Sequence, residues 1–516
     1  MSRPLRVAHV TTIDATLRFM LLAQLRRLRD EGYDVSGISA PGPWAGELEN
    51  EGIRHVPWPH ATRAWDPAAD VRAFTALRRI IRAERFDLVH THNPKPGVLG
   101  RIGARLEGVP CVVNTVHGLF AAPGDPARRR IPVVAAERLA ARFSDLELYQ
   151  SEEDLRWARR IGLVDPARSA LLGNGVDLSR FDPEAVSAER RLELRGGLGL
   201  PEDAVVVGTV GRLVAEKGYG ELVRASGRVI ELEPGVRFLA VGPGDPAKAD
   251  ALGDDVRRGA GDSFVFTGWR EDVRDLLAVM DVFVLASWRE GLPRSAIEAA
   301  AMARPLILTD IRGCREVARD GREGLLIPPR DSEALADAVL SLVRDADLRG
   351  RLGVAARARA EQRFDESAVA DRLSAAYRKL LVAKGLTTVA AVPERAGPGP
   401  LPARHDLDGL GTVTIRPARE GEEGRLAELH ARTYPAHAFL PQLGPAFLRE
   451  LYRAQIREPT AVALVAEWDG RVIGYTTGLV SAPMFRRRFL RRYGLRAGMG
   501  AGSRLARPRL IRRLVD

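Results

Sequence analysis

Two clusters of side chains in this chain of 516 residues have the types and spacing to do chemistry. The first is Gly211-Arg212-Leu213-Val214-Ala215-Glu216-Lys217-Gly218, which sets an arginine and a lysine between flexible glycines. Arginine grips phosphate oxygens in bidentate fashion and lysine supplies a point charge, so the segment suits a diphosphate. Lysine is a notable choice here, since only five of the 78 basic residues are lysines. Taken alone, the segment also reads as a solvated surface turn. The second cluster is Ser287-Trp288-Arg289-Glu290-Gly291-Leu292-Pro293-Arg294-Ser295-Ala296-Ile297-Glu298. Pro293 suits the first turn of a helix, where Gly291 and Leu292 can present backbone N–H groups at the positive end. Glu290 precedes that helix and Glu298 falls in its second turn, so the two carboxylates face different parts of one elongated ligand. A carboxylate that accepts two vicinal hydroxyls fits a ribose or a hexose. Paired carboxylates around a scissile bond suggest a hydrolase, but a phosphate site in the same unit favours a sugar nucleotide.

Two histidine-bearing segments end strands earlier in the chain. Thr115-Val116-His117-Gly118 offers a single histidine, a residue that is more often structural than functional. His90-Thr91-His92-Asn93-Pro94-Lys95-Pro96-Gly97 is expected to border an acceptor site through residues such as His90 and Asn93. Its histidines also suggest a metal, but Arg212 and Lys217 already supply cations, and the expectation is no metal and no cofactor.

The elements that must position these residues form a rhythm of short β-branched runs and amphipathic helical stretches. Strands are expected at Leu5 to Val10, Val35 to Ser39, Phe86 to His90, Val109 to Thr115 and Leu146 to Gln150. The pattern restarts after Asn174-Gly175-Val176-Asp177 with Val205 to Val210, Val236 to Val241, Phe264 to Thr267, Val282 to Leu285, Pro305 to Thr309 and Gly324 to Ile327. Such alternation specifies parallel sheets covered by helices on both faces. The fold class is α/β, with a Rossmann-like domain over residues 1–175 and another over 176–384 that carries its own closing helices. Residues 385–411, with Pro393, Pro398, Pro400 and Pro402 among glycines, read as a flexible linker. A smaller α+β segment, 412–516, opens with a strand at Val413-Thr414-Ile415 and holds a hairpin about Asp469-Gly470. Neither Thr11-Thr12-Ile13-Asp14 nor Gly242-Pro243-Gly244 completes the Gly-x-Gly-x-x-Gly of a dinucleotide site, which disfavours a nicotinamide or flavin oxidoreductase.

A mass of 56.4 kDa implies two to four domains, and 45% hydrophobic with 28% charged residues is a globular composition. No apolar run reaches the roughly 18 residues of a membrane span, and the first residues lead into a strand instead of a signal-peptide core, so a cytoplasmic protein is expected. Cys111 and Cys314 have no metal or disulfide spacing and read as reduced core thiols. The net charge of +11 is nearly all carried between Phe485 and Asp516, where eleven arginines face Asp516 alone. Leu17 to Arg29 and Arg72 to Arg85 combine apolar residues with arginine flanks. Such helices can lie on an anionic membrane, and ordinary sheet-covering helices show the same pattern.

Taken together, the motifs resemble the family-four retaining glycosyltransferases of the GT-B fold. Gly211 to Gly218 looks like that family's diphosphate motif, Glu290 to Glu298 like its Glu-x7-Glu motif, and Asn174-Gly175-Val176-Asp177 with Phe181 like its inter-domain signature. The resemblance covers about Leu5 to Lys384 and implies two Rossmann-like domains facing across a cleft. It implies that Arg212 and Lys217 hold the donor diphosphate, Glu298 the ribose, and Glu290 with the Gly291 and Leu292 amides the transferred sugar. Trp269 would lie near the base and His117 in the cleft beside the sugar. A UDP-sugar donor, retention by front-face attack and no protein nucleophile are the implied chemistry. Many relatives carry a Gly-Gly loop after the first strand; this chain has Thr12-Ile13-Asp14-Ala15-Thr16-Leu17-Arg18, where Arg18 or Thr16 would substitute. His9-Val10-Thr11-Thr12 and Leu17-Arg18-Phe19 look like the branch that builds lipid-linked cell-surface polysaccharides, which implies a lipid-linked or glycan acceptor and peripheral contact at the inner membrane face. The rival enzyme is a nucleotide-sugar epimerase, and a different class is a nucleic-acid binder acting through the basic tail, whose binding would be sequence-blind. Thr414 to Ala418 and Leu464 to Tyr475 resemble the front of a GNAT acyltransferase. Arg496-Ala497-Gly498-Met499-Gly500 has the wrong spacing for that family's coenzyme A site, so an incomplete domain without acetyl-coenzyme A activity is expected.

Overall fold

The computed structural model describes residues 3–63, 66–92, 94–121, 124–245, 248, 250–386, 403–407, 411–433, 445–457, 461–468 and 471–479. Asn93, most of the proline-rich linker and the arginine-rich tract from 485 onward lie outside the described residues. The chain divides into two compact units, Met1–Ala391 and Val392–Asp516.

The first unit holds two parallel sheets. One contains β1 (Arg6–Ile13), β2 (Asp34–Ala40), β3 (Arg54–Pro57), β4 (Leu88–His92), β5 (Cys111–Val116), β6 (Leu146–Tyr149) and β7 (Ser169–Leu171), in the order β3-β2-β1-β4-β5-β6-β7. The other contains β8 (Val206–Val210), β9 (Arg237–Val241), β10 (Phe264–Gly268), β11 (Val282–Leu285), β12 (Leu306–Thr309) and β13 (Gly324–Ile327), in the order β10-β9-β8-β11-β12-β13. All the runs expected as strands are strands. Their near-continuous burial, as in β4, β5 and β11, follows from helices covering both faces. Strand order reverses between β1 and β4 in one sheet and between β8 and β11 in the other, and open α/β sheets bind ligands at such switch points, outside the carboxyl ends of the strands.

The helices expected to be able to lie on a membrane face inward instead. Leu17 and Leu21, with Leu22, Leu25 and Leu28 of α1 (Leu22–Asp30), join the core of the first sheet. Leu77 and Ile81 of α2 (Pro67–Glu84) do the same on its other face. Further on, α3 (Glu152–Arg160) is capped by Ser151, and α4 (Arg294–Ala301) follows Pro293, which is its N-cap residue and not part of its first turn. No helix among the described residues is long and apolar enough to cross a membrane. Cys111 and Cys314 are buried and free.

One closing helix departs from the expected division at residue 384. Val369, Leu373, Tyr377 and Leu381 of α5 (Glu366–Ala383) pack with Val7, Leu25 and Leu148, so the helix covers the first sheet although its chain precursor belongs to the second. The two crossings meet. Val176 N–H donates to Phe364 O at 2.9 Å and Glu366 N–H to Val176 O at 3.1 Å, while a Cβ on Gly175 would lie 2.7 Å from the Glu366 backbone.

The second unit is an antiparallel sheet of β14 (Ala403–Leu407), β15 (Gly411–Pro417), β16 (Ala461–Trp468) and β17 (Arg471–Leu479), with α6 (Glu423–Thr433) and α7 (Pro445–Arg457). The hairpin of β16 and β17 stands where the alternating pattern put it. Part of the expected linker does not: residues 403–407 form β14, paired with β15. Leu426, Leu448, Tyr452 and Val465 make this unit's own core.

Candidate active site

The two motifs of the second sheet leave the carboxyl ends of β8 and β11, the neighbouring strands that flank its switch point. Gly211 to Gly218 follows β8, and Ser287 to Pro293 follows β11. Lys217 Nζ donates to Glu290 Oε1 at 2.6 Å, joining residues 73 positions apart in sequence. Gly218 makes this approach feasible. Its φ of 76° is left-handed, and a Cβ there would collide with the Ala286 carbonyl, so glycine is required on both counts.

Arg212 reaches Asp245 Oδ2 at 2.7 Å, and Arg63 of the first domain approaches the same oxygen at 3.4 Å. Asp245 therefore holds two cations at the cleft edge. A diphosphate would exchange a carboxylate partner for a phosphate one at Arg212. Glu298 lies on α4 one turn from Arg294, which donates to it at 3.1 Å. Burial raises the Glu298 carboxyl above the usual glutamate range, against the opposing pull of Arg294.

The cleft wall opposite comes from the loop after β5. A Cβ on Gly118 would sit 2.7 Å from Gly291 Cα, and one on Gly291 would collide with the His117 carbonyl, so the two glycines let the domains meet backbone to backbone beside His117. Several side chains hold this approach. Arg312 donates to Leu119 O at 2.9 Å and pairs with Asp154 at 2.5 Å, while Asp154 Oδ2 accepts the Leu119 N–H at 2.9 Å. Asn174 Nδ2 donates to Leu292 O at 3.2 Å, tying the inter-domain segment to the loop after β11. Glu316 of the second domain accepts from Ser151 Oγ at 2.5 Å and from the Glu152 and Glu153 N–H groups at 3.0 and 3.1 Å, at the N-terminus of α3.

His117 is thus brought to Gly291, but His90 is not brought to the cleft surface. It is fully buried, with Nδ1 bonded to the Tyr377 hydroxyl and Nε2 to Thr115 Oγ1, both at 2.7 Å. The alternation that puts His90 on a strand says nothing about exposure when both faces of the sheet are covered. His9, His90 and His92 bring ring nitrogens within 4.8 Å of one another. Those nitrogens engage each other and Tyr377 in hydrogen bonds and stacked rings, with His90 and His92 centroids 4.5 Å apart at 25°.

The first loop is organised by Asp14. Its carboxylate accepts the Ala15 N–H at 2.8 Å and the Trp44 N–H at 2.7 Å, and it fills the space a Cβ on Gly42 would take. Thr12 borders a small cavity with Trp58 and with Lys95, which pairs with Asp70 at 2.5 Å. Arg18 pairs with Glu47 at 2.6 Å, so its resting partner is a carboxylate of its own domain. Trp269, half exposed, meets Phe19 edge to face at 5.4 Å and Trp44 at 6.0 Å, making an aromatic cluster that spans the two domains. Sequence reasoning missed Asp245, Arg63, Arg312, Asp154 and Glu316. Each acts through a partner distant in sequence, and no local pattern marks it.

Comparison with known proteins gives a consistent result. The profile described as Glycosyl transferases group 1 matches residues 204–345, and that described as Glycosyltransferase Family 4 matches residues 20–180. Among similar curated proteins is the UDP-Gal:alpha-D-GlcNAc-diphosphoundecaprenol alpha-1,3-galactosyltransferase of Escherichia coli, 30% identical over 66% of this chain and 88% of its own length. Another is the N,N'-diacetylbacillosaminyl-diphospho-undecaprenol alpha-1,3-N-acetylgalactosaminyltransferase of Campylobacter jejuni, 22% identical over 73% of this chain and 99% of its own. Among solved structures, Anabaena HepE in complex with UDP and glucose superposes with a TM-score of 0.62 at 20% identity, over 73% of this chain and all of the other.

Proposed function

The chain belongs to the group 1, family 4 glycosyltransferases and has their two-domain GT-B fold, and on that premise we propose that it moves a hexosyl group from a UDP-sugar to a hydroxyl of a lipid-diphosphate-linked glycan with retention of anomeric configuration. The observation that carries the reading is the 2.6 Å pairing of Lys217 with Glu290 at a switch point, which sets the cation of the phosphate motif against the carboxylate of the sugar motif. Arg212 and Lys217 bind the diphosphate and stabilise the charge that builds on it. Glu298 accepts from the ribose hydroxyls, Trp269 stacks near the base, and Glu290 with the Gly291 and Leu292 amides holds the sugar beside His117. The acceptor oxygen forms a bond to C1 on the face from which the diphosphate departs, the C1–O bond to phosphate breaks, and the acceptor's proton passes to the leaving phosphate oxygen. The two cationic side chains fill the place of a metal, and no other cofactor is assigned.

The acceptor class is supported by the names of the Escherichia coli and Campylobacter jejuni relatives, both of which act on diphosphoundecaprenol-linked sugars. Work on such an acceptor entails peripheral contact with the cytoplasmic face of a membrane. The second unit is read as a GNAT-like segment. The test is product analysis with UDP-glucose, UDP-galactose and their N-acetyl forms, with and without a synthetic diphospholipid-linked sugar, in EDTA. Acceptor-dependent release of UDP with an α-linked product from an α-donor is expected. Acceptor-independent interconversion of the nucleotide sugars would make the protein an epimerase instead.

A further inference from the structure

Behind the cleft, the first sheet carries a line of buried polar side chains for which the proposed reaction has no use. His90 and His92 stand two residues apart in β4 and so project from one face; His9 of β1 registers with His90, and Thr115 of β5 with His92. Tyr377 comes down on them from α5, a helix whose covalent neighbours belong to the other domain. Each of His9, His90, His92, Thr115 and Tyr377 has 2% exposure or less.

Five hydrogen bonds join these groups end to end. His117 Nε2 meets His92 Nδ1 at 2.9 Å, and His92 Nε2 meets His9 Nδ1 at 3.1 Å. His9 Nε2 meets the Tyr377 hydroxyl at 3.2 Å, which meets His90 Nδ1 at 2.7 Å, and His90 Nε2 meets Thr115 Oγ1 at 2.7 Å. Every imidazole enters the line through one ring nitrogen and leaves through the other. A neutral imidazole carries one proton, and each nitrogen-to-nitrogen contact needs one and only one. If His117 donates from Nε2, then His92 must donate from Nε2, then His9, then Tyr377 to His90, and His90 to Thr115. Reversing either nitrogen-to-nitrogen link reverses the line from His117 to His9 as a whole, and the polarity carries on to His90 where the single Tyr377 hydroxyl proton is used within the line. Neutral histidine prefers the Nε2–H tautomer in water, and four rings in series compound that preference.

We infer that Thr115, His90, Tyr377, His9, His92 and His117 form one polarised hydrogen-bonded chain that holds His117 as its Nε2–H tautomer, with Nδ1 as acceptor, and that Tyr377 is the positioning residue that closes it. Burial agrees with the neutral rings this requires: it lowers His9 to about 3 and His117 to about 4, and pulls His90 and His92 well below the ordinary histidine value. A charged ring inside the line would set two donors against each other. The Gln150 side chain also bonds His117, which favours the charged ring against the larger opposing effect of burial. Only the use of Nδ1 toward a donor sugar rests on the proposed reaction. The chain itself is tested without substrate, so its failure and the failure of that reaction are separate results.

The experiment is long-range nitrogen-proton correlation on the full chain labelled with 15N-histidine, which has nine histidines to assign. His9, His90, His92 and His117 are expected to be neutral Nε2–H tautomers together at pH 7. In Tyr377→Phe, which removes the hydroxyl and keeps the ring, His117 is expected to lose its single-tautomer signature although three hydrogen bonds separate it from the change. Different tautomers among the four rings of the wild type would overturn the inference, and so would an unaltered His117 signature in folded Tyr377→Phe. The wild-type spectrum decides the matter if that variant does not fold.

Discussion

Replacing Lys217 by Ala separates the role that the structure shows, pairing with Glu290, from the role proposed for it, binding the diphosphate. The ammonium lies 2.6 Å from Glu290, and the two side chains are 21% and 10% exposed. Removing one partner of a fully buried pair costs about 3 to 5 kcal/mol, and a charged hydrogen bond contributes about 1.5 to 3 kcal/mol. With a fifth of the lysine side chain exposed, the lower range applies, and about 2 kcal/mol of stability should go with it. For a domain of this size that is a fall in Tm of about 4 to 8 °C. Turnover should fall further, by about 10² to 10³, because a preorganised cation facing the leaving diphosphate is lost. Adding Glu290→Gln to Lys217→Ala should restore most of the stability, since a neutral amide is cheaper to leave unpaired than a carboxylate, and none of the turnover. Thermal unfolding and UDP release from a UDP-sugar are measured side by side for the two single variants and the double. Turnover within threefold of wild type in folded Lys217→Ala would refute the diphosphate role, and recovery of turnover in the double would mean that the loss in the single variant came from the unpaired Glu290 carboxylate and not from a missing phosphate contact.

Other perturbations read other parts of the cleft. Glu298→Gln should weaken donor use about tenfold or more, as charged hydrogen bonds to ribose are lost; unchanged donor kinetics would remove Glu298 from the site. Burial raises the Glu298 carboxyl, so its protonation favours the folded state below the ordinary glutamate pKa and that contribution is lost as pH rises through the raised value. Donor binding has the opposite sign: the donor KM of the wild type should climb as pH falls through the raised pKa, and a donor KM profile equally steep in Glu298→Gln would assign the titration elsewhere. Asp245→Asn frees Arg212 from a pair whose arginine side chain is 37% exposed, a contact of at most about 1 kcal/mol, so calorimetry should find UDP bound up to about fivefold more tightly; weaker binding would show that Asp245 positions Arg212 for the ligand. Glu316→Ala removes the acceptor at the start of α3 and should cost about 1 kcal/mol, as lost caps do, seen as a fall in Tm of about 2 to 4 °C. A chain ending at Ala391, where the compact units divide, should keep its donor affinity, and collapse of UDP binding in that truncation would place the boundary wrongly.

What the sequence made legible was what local pattern determines. The runs at Val7 to Val10 and Val282 to Leu285 are long and β-branched enough to be strands in any context, and the motifs after β8 and β11 stand at strand ends because glycine and proline mark those ends. Edge strands β3 and β7 escaped because Arg54–Pro57 and Ser169–Leu171 are short and half polar. The closing helices were legible as helices but their partners were not, and α5 covers the first sheet instead of the second. The same gap misplaced His90: a histidine between valines and threonines reads as cleft lining until Tyr377, 287 positions later, is seen to cap it. Asp245 and Glu316 were invisible for a related reason. A carboxylate that binds across a domain boundary carries no signal in its own segment.

The central claim is that Arg212 and Lys217, at the switch point of the second sheet, bind a nucleotide diphosphate without a metal. Thermal unfolding of the wild type and of Arg212→Ala/Lys217→Ala, each with UDP in the presence of EDTA, tests it most directly. Binding to the folded state alone raises stability by RT ln(1 + [L]/Kd), about 2.7 kcal/mol at a hundredfold excess over Kd, so the wild type should gain several degrees in Tm and the double variant almost none. An equal gain in both proteins, or a wild-type gain that EDTA abolishes, would contradict the account.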